Sequence, residues 1–190
     1  MDRRQRIANA GIALIARGGT HRLTHRAVDA EAGLPNGSTS YYARSRRDLI
    51  RLVMEQLSAE SQADLTDIEV PGKLTVRQAT DLVGRLAERL ILNGDAQAAR
   101  FALMFEVRDD DELRRELTVD APVRRSFDEK AVELLRALGV TDPKEKAPEF
   151  VALVDAVLMY RAVDAAPIDP AGVVETYLTG LVRRKPTAAR

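Results

Sequence analysis

The sequence predicts an all-α chain, and three observations carry that expectation. Apolar residues recur at helical spacing in nearly every segment, no stretch alternates apolar and polar residues as a half-buried strand does, and aromatics make up 4% beside abundant Ala, Leu and Val. That balance favours helices over sheets. Of the 190 residues 45% are apolar, enough for a packed core, and 31% are charged, which suits helices with salt-bridged outer faces. Two parts are expected, residues 1–45 and 46–190.

The elements follow in order. In "RIANAGIALIARGG", Ile7, Ala8, Ala10, Ile12, Leu14 and Ile15 share a helical spacing, and Gly18-Gly19 ends the helix. Thr24 is a good N-cap for a helix of about two turns that Gly33 stops. A short helix is expected from Pro35 or Asn36 to Tyr42, with proline acceptable in its first turn. Ser45 then caps a long amphipathic helix through Leu49, Ile50, Val53, Met54 and Leu57. The segment "TDIEVPGKLT" interrupts at Pro71-Gly72 and is the expected boundary between two functional parts. Beyond it helices are expected over about 75–93, 96–108, 111–138, 145–165 and 170–184, with Pro122 starting a new segment or kinking the long one over 111–138. The tail "RRKPTAAR" reads as frayed.

Composition excludes several function classes. With no cysteine there is no disulfide framework, thiolate nucleophile or Cys-based zinc site. The start "MDRRQRIANAGIALIARGG" predicts no signal peptide, because Arg17 interrupts the apolar stretch, and no segment has the uninterrupted apolar length to cross a bilayer. A reducing cytoplasm fits. The net charge of zero hides a division: residues 1–51 carry ten Arg against four acids, +6, so the remainder carries −6. One end is built to meet an anion. Arginine dominates lysine throughout, so the position of charge is informative rather than the choice of Arg.

Helix, glycine turn and short helix make a helix-turn-helix, whose second helix enters a major groove while the first crosses the backbone. The stretch "GLPNGSTSYYARSRRDLI" places hydroxyls and two adjacent tyrosines on that second helix. They supply hydrogen bonds to phosphates and ring faces to thymine methyls. The alternative is that one tyrosine packs inward. Arg46 and Arg47 fall in the first turn of the next helix, which its dipole disfavours unless an anion lies close, and a phosphate there resolves the conflict.

Here the chain resembles the TetR family of bacterial repressors. The family pattern runs T-h-x-x-I-A-x-x-A-G-V-S, then x-G-T-L-Y-Y-H-F-x-S-K-x-D-L-L, and "LTHRAVDAEAGLPNGSTSYYARSRRDLI" follows it without a gap. Thr24, Ala32, Gly33, Gly37, Tyr41, Ser45, Arg46 in the lysine place, Asp48 and Leu49 fall where the pattern expects them. The resemblance implies a helix-turn-helix DNA-binding domain over 1–45 and a helical ligand-binding and dimerisation domain over 46–190. It implies that Asn36, Gly37, Ser40, Tyr41 and Tyr42, with Ser38 and His25, face duplex DNA, and that Thr24, Arg26 and Arg46 hold the backbone. Pro35, Ser40 and Ala43 depart from the pattern, and Ala43, in place of a buried aromatic, implies a looser seat for the recognition helix.

In the second part the resemblance implies a small-molecule pocket, lined by Phe101, Met104, Phe105, Arg108, Leu134 and Met159, although such side chains at helical spacing also serve as plain core. The stripes Phe150, Val151, Val154, Val157, Leu158 and Val173, Val174, Tyr177, Leu178, Leu181 are either buried within one chain or meet a second copy as a four-helix homodimer interface over about 145–165 and 170–184. A ligand-responsive repressor of a near-palindromic operator is the implied function, with the helix from about Arg46 to Leu65 as lever. No enzyme activity, cofactor, metal or membrane partner is expected. His21 and His25 read as surface or DNA-proximal rather than a metal pair, Asp109 to Glu112 as an acidic helix start, and Gly37 to Ser40 lack the spacing, lysine and preceding strand of a phosphate loop.

Overall fold

The computed structural model describes residues 1–183; of the tail expected to fray, Arg183 is the last residue of a helix, and the rest of that tail, with the last residue of the expected final helix, lies outside the described residues. The described residues are all-helical, as the sequence predicts, with ten α-helices and one 3-10 turn.

Helix α1 (Arg3–Gly18) opens on a capping box: Asp2 accepts from the Gln5 amide while the Gln5 side chain accepts from the Asp2 amide. Gly19, at φ +79°, closes it by donating to the Ile15 carbonyl at 2.7 Å. A 3-10 turn (Thr20–Arg22) leads to α2 (His25–Glu31), where Thr24 accepts from the Ala27 amide at 3.2 Å, as its N-cap position predicts. Helix α3 (Ser38–Tyr42) starts two or three residues later than expected, because Gly37 adopts φ +92° and turns the chain left-handed just before it. Helix α4 (Arg46–Thr66) carries a reciprocal Ser45–Asp48 cap.

Helices α5 (Val76–Leu92) and α6 (Gly94–Glu106) follow. Over 111–138, where Pro122 was expected to start a new segment or kink the helix, it starts a new one, giving α7 (Asp111–Leu117) and α8 (Pro122–Ala137). Between them the Asp120 amide donates to the Arg115 carbonyl and the Arg115 side chain pairs with Asp120, so the chain doubles back before Pro122 begins the new helix. Helices α9 (Pro143–Ala162) and α10 (Pro170–Arg183) complete the described chain.

The packing divides into two units. The first joins residues 1–63 with 93–123, so the helix-turn-helix does not close its own core. Ile7 and Ile15 of α1, Leu23, Val28 of α2 and Val53 of α4 share one cluster with Leu103 of α6 and Leu113 of α7. The second unit joins 64–92 with the chain from 124, and the Pro71-Gly72 segment lies inside it. Leu82 and Val83 of α5 pack there with Leu135 of α8, Phe150 of α9, and Val174 and Leu178 of α10. Phe150 and Tyr177 stack with centroids 5.9 Å apart.

Gly11 sets how closely α1 approaches α4. A Cβ there meets Val53 Cγ2 at 2.5 Å and Leu23 Cδ1 at 3.2 Å, and both side chains are fully buried. Alanine is the better helix former by about 1 kcal/mol, but overpacking a closed core costs about 1–3 kcal/mol. Gly11→Ala is therefore expected to lower stability in urea unfolding by about 1 kcal/mol net; an unchanged or higher midpoint shows that α1 can shift away from Val53.

Candidate nucleic-acid interface

A five-residue helix cannot hold itself, since nucleation fixes several residues for one hydrogen bond. Helix α3 also lacks a side-chain cap of its own, because its N-cap is Gly37. The cap comes instead from α2. Asp29 Oδ2 accepts from the Gly37 amide at 2.7 Å, and Asp29 Oδ1 accepts from the Thr39 amide at 2.7 Å and the Thr39 hydroxyl at 2.6 Å. Asp29 is 1% exposed and Thr39 0%. Burial pushes the Asp29 carboxyl up, but the hydroxyl and amide of Thr39, the amide of Gly37 and the nearby His25 together outweigh it and hold the group below its ordinary range.

With Thr39 turned inward, Ser40, Tyr41 and Tyr42 are left on the outside. Tyr41 is 83% exposed and Tyr42 38%, their rings edge to face with centroids 5.2 Å apart. Neither ring packs into the core. Thr24, Arg26, Asn36 and Gly37 are exposed as well, and Ser38 is half-buried with its hydroxyl donating to the Pro35 carbonyl at 2.7 Å. His25 is turned toward the protein: its Nε2 lies 2.7 Å from the Ala43 carbonyl, which can only accept, so Nε2 carries the proton. Ala43 is fully buried, and this bond anchors the far end of α3, where the family pattern has a buried aromatic and its loss implied a looser seat.

The anion expected beside the first turn of α4 is supplied by the protein. Arg46 donates to the Leu23 carbonyl (2.7 Å), the Thr20 carbonyl (3.0 Å) and Glu106 (2.8 Å), while the Thr20 hydroxyl donates to the same Glu106 at 2.7 Å. Arg47 forms a fork on Asp110 (2.9 and 3.1 Å) and reaches Glu112 (2.8 Å). Arg51 forms a fork on Glu116 (2.8 and 3.0 Å) and shares Glu112. The Arg47 fork holds Asp110 down to about 2, helped by the Leu113 amide. Arg46 and then Thr20 depress Glu106, and Arg51 depresses Glu116. The phosphate invoked for this helix start is thus not needed to offset its dipole. Within the acidic run, Asp110 is the α7 N-cap, accepting from the Leu113 amide, while Asp109 pairs with Arg108 and Asp111 with Arg114.

The six residues expected to line a ligand pocket are divided. Phe101, Met104, Phe105 and Arg108 belong to the first unit, Leu134 and Met159 to the second. Phe101 is buried under the Arg100 guanidinium, 4.3 Å from its ring centroid, whereas Phe105 is 74% exposed. Leu134 is core of the second unit. A cavity of about 540 Å³ in the first unit has other walls: Arg51, Met54, Glu55, Ser58, Ala59 and Gln62 of α4 with Glu116, Asp120 and Pro122.

Sequence reading missed Asp29, which it used only as a charge. The signal was available, since Asp29 stands where the quoted pattern has Ala and Thr39 where it has Leu. Two polar residues replacing two apolar ones ten positions apart are a pair to be tested for contact.

Removing the Asp29 carboxylate leaves three buried donors unmet. Asp29→Ala is expected to lower stability by about 3 kcal/mol and to speed amide hydrogen exchange at residues 37–43 more than elsewhere in the first unit. Uniform protection across these residues contradicts the capping role. A second expectation concerns acid. Asp29, Glu106, Asp110 and Glu116 all have folded values below their ordinary 3.8 or 4.5, Asp110 reaching about 2. Their contribution is fully present above the ordinary values and is lost as pH falls through the depressed ones. Unfolding free energy measured by denaturant titration should be level above pH about 5 and fall progressively between about 4.5 and 2.

Comparison with known proteins places this geometry in context. Residues 74–184 match the domain described as "Tetracyclin repressor-like, C-terminal domain". A member of the TetR family from Streptomyces coelicolor A3 is 27% identical, with a TM-score of 0.68 over 95% of this chain and 98% of that one. The multidrug binding protein EbrR, in its complex with ethidium, is also 27% identical, with a TM-score of 0.67 over 95% and 98%. A transcriptional regulator from Rhodococcus sp. Rha1 shares the fold at a TM-score of 0.78 and 14% identity, over 96% and 97%. Comparison with curated proteins finds no match. The helix-turn-helix reading at the amino end and the domain match over the remainder converge: this chain belongs to the TetR family of transcriptional regulators.

Proposed function

We propose that the protein is a ligand-responsive repressor that binds a near-palindromic duplex operator as a homodimer and is released by a small-molecule effector. The observation that carries this is the face of α3: Thr39 is locked inward on Asp29, and Ser40, Tyr41 and Tyr42 stand outward. A short rigid helix with hydroxyls and ring faces outward matches the donor and methyl pattern of a major groove. Asn36 and Ser40 reach base edges, the tyrosines contact thymine methyls and phosphates, and Thr24 with Arg26 sits on the backbone. The protein is read as a binding protein and not an enzyme, and its work on the chromosome places it in the cytoplasm.

Dimerisation is assigned to α9 and α10. Much of the apolar stripe on these helices is spent within the chain, since Phe150, Val151, Val157, Leu158, Val174, Leu178 and Leu181 are buried. What they leave exposed is Tyr160 on α9, Val163 just past it and Val182 on α10. A second copy covers that remainder and sets the two recognition helices about 34 Å apart, one turn of the duplex. EbrR has been seen with ethidium, proflavin and imidazole, which supports a small organic effector here. Effector binding acts by favouring a spacing that the duplex does not fit, and both ligands bias one two-state equilibrium. Helix α4 is the lever.

Selection from a randomised duplex pool tests the reading. The full chain is expected to enrich a near-palindrome whose half-site centres lie one helical turn apart, and Ser40→Ala or Tyr42→Ala to change the enriched bases at a cost of about 1–3 kcal/mol per lost base contact. Enrichment of no sequence, or of the same sequence by all three proteins, argues against this orientation of α3.

A further inference from the structure

Arginines of the first unit fall into two classes, and the division does not follow the family pattern. Arg46, in the place where that pattern has lysine, uses its guanidinium on two backbone carbonyls and Glu106. Arg47 and Arg51 are forked on carboxylates, Arg17 pairs with Glu31, and Arg4 with Glu55. By contrast the side chains of Arg22, Arg26 and Arg44 lie on exposed residues and, among the described residues, make no hydrogen bond or ion pair. Arg3 is likewise unpaired but lies at the start of α1, off the helix pair.

The three unpaired side chains bracket the reading helices. Arg22 ends the 3-10 turn that feeds α2, Arg26 is in the first turn of α2, and Arg44 lies two residues beyond Tyr42. The start of the crossing helix and the end of the recognition helix are where a helix-turn-helix meets the backbone on either side of the groove. Three like charges without carboxylate partners repel one another in the free protein. Phosphates offset that repulsion and release the counterions that give duplex binding its salt dependence. A guanidinium already neutralised by a carboxylate gives up one anion to gain another, so it releases little.

We infer that Arg22, Arg26 and Arg44 make the charge-neutralising phosphate contacts of this protein, and that Arg46 makes none and is a positioning residue tying the turn before α2 to α4. The inference rests on the duplex-binding reading above. It departs from what the resemblance implies for Arg46 and adds two residues, Arg22 and Arg44, that the resemblance does not single out.

Salt dependence separates the classes. With the full chain and a mixed-sequence duplex, association is measured by fluorescence anisotropy across a salt series. Arg22→Ala and Arg44→Ala are each expected to reduce the log–log slope by about 0.9 per bound copy while leaving the unfolding midpoint unchanged, because neither side chain makes an internal bond. Arg46→Ala is expected to lower the unfolding midpoint and keep the wild-type slope. Where that variant fails to fold, Arg46→Gln, which retains donors for the Thr20 and Leu23 carbonyls, takes its place. Wild-type slopes in both Arg22→Ala and Arg44→Ala, or a flattened slope in the Arg46 variants, overturn the assignment. A wild-type chain with no salt-dependent duplex binding overturns the duplex reading itself.

Discussion

A single buried carboxylate fixes the surface on which the proposed function rests. Asp29 projects from α2 onto the first turn of α3 and satisfies two of its amides and one hydroxyl. Without that anion, α3 is five residues with a glycine cap, too short to persist and with its dipole unopposed. The bond set also determines rotation. Thr39 is the residue drawn in, so Ser40, Tyr41 and Tyr42 are the residues turned out, and the exposure of two adjacent tyrosines follows from the position of one aspartate.

A second tier of electrostatics holds α4. The basic excess of residues 1–51 is not all presented to an external anion, because Arg46, Arg47 and Arg51 are met by Glu106, Asp110, Glu112 and Glu116. Isolated pairs at this exposure contribute little. Here Glu112 is shared by Arg47 and Arg51, and both are also forked on a second carboxylate, so each side chain ordered for one bond is already placed for the next. What the charge count showed as one basic block is therefore two populations with different roles, one internal and one facing outward.

Local signals were legible in the sequence and distant ones were not. Thr24 and Ser45 act within four residues, and the helix starts they announce are where they were read; the equally local cap by Asp2 was not read. Gly37 was read inside the short helix, and its left-handed conformation moved the start of α3, while Pro122 marked the start of α8 but not the Arg115–Asp120 turn that ends α7 before it. Asp29 to Thr39 spans ten residues, and Arg46 to Glu106 sixty. No periodicity reports such partners, so the residues that seat the recognition helix and occupy Arg46 were read only as charges. The stripes of α9 and α10 were seen correctly as apolar, but periodicity does not distinguish a face buried by the chain's own core from one left for a copy.

The choice of an ion over an apolar pair at the seat of α3 has a physical rationale. An Ala and a Leu at positions 29 and 39, as in the family pattern, join α2 to α3 by packing, and packing is non-directional, so it needs a further large residue to stop a short helix from rolling. In this chain the ring expected at 43 is absent and Ala43 is there instead. A buried carboxylate brings little net stability against an apolar replacement, since desolvation offsets most of what its bonds contribute. Its bonds are directional, however, and three of them with fixed donors, together with His25 on the Ala43 carbonyl, define the rotation of α3 at both ends. For the proposed groove-reading face of two tyrosines and a serine, angle matters more than depth of burial, and hydrogen bonds specify angle where packing alone does not.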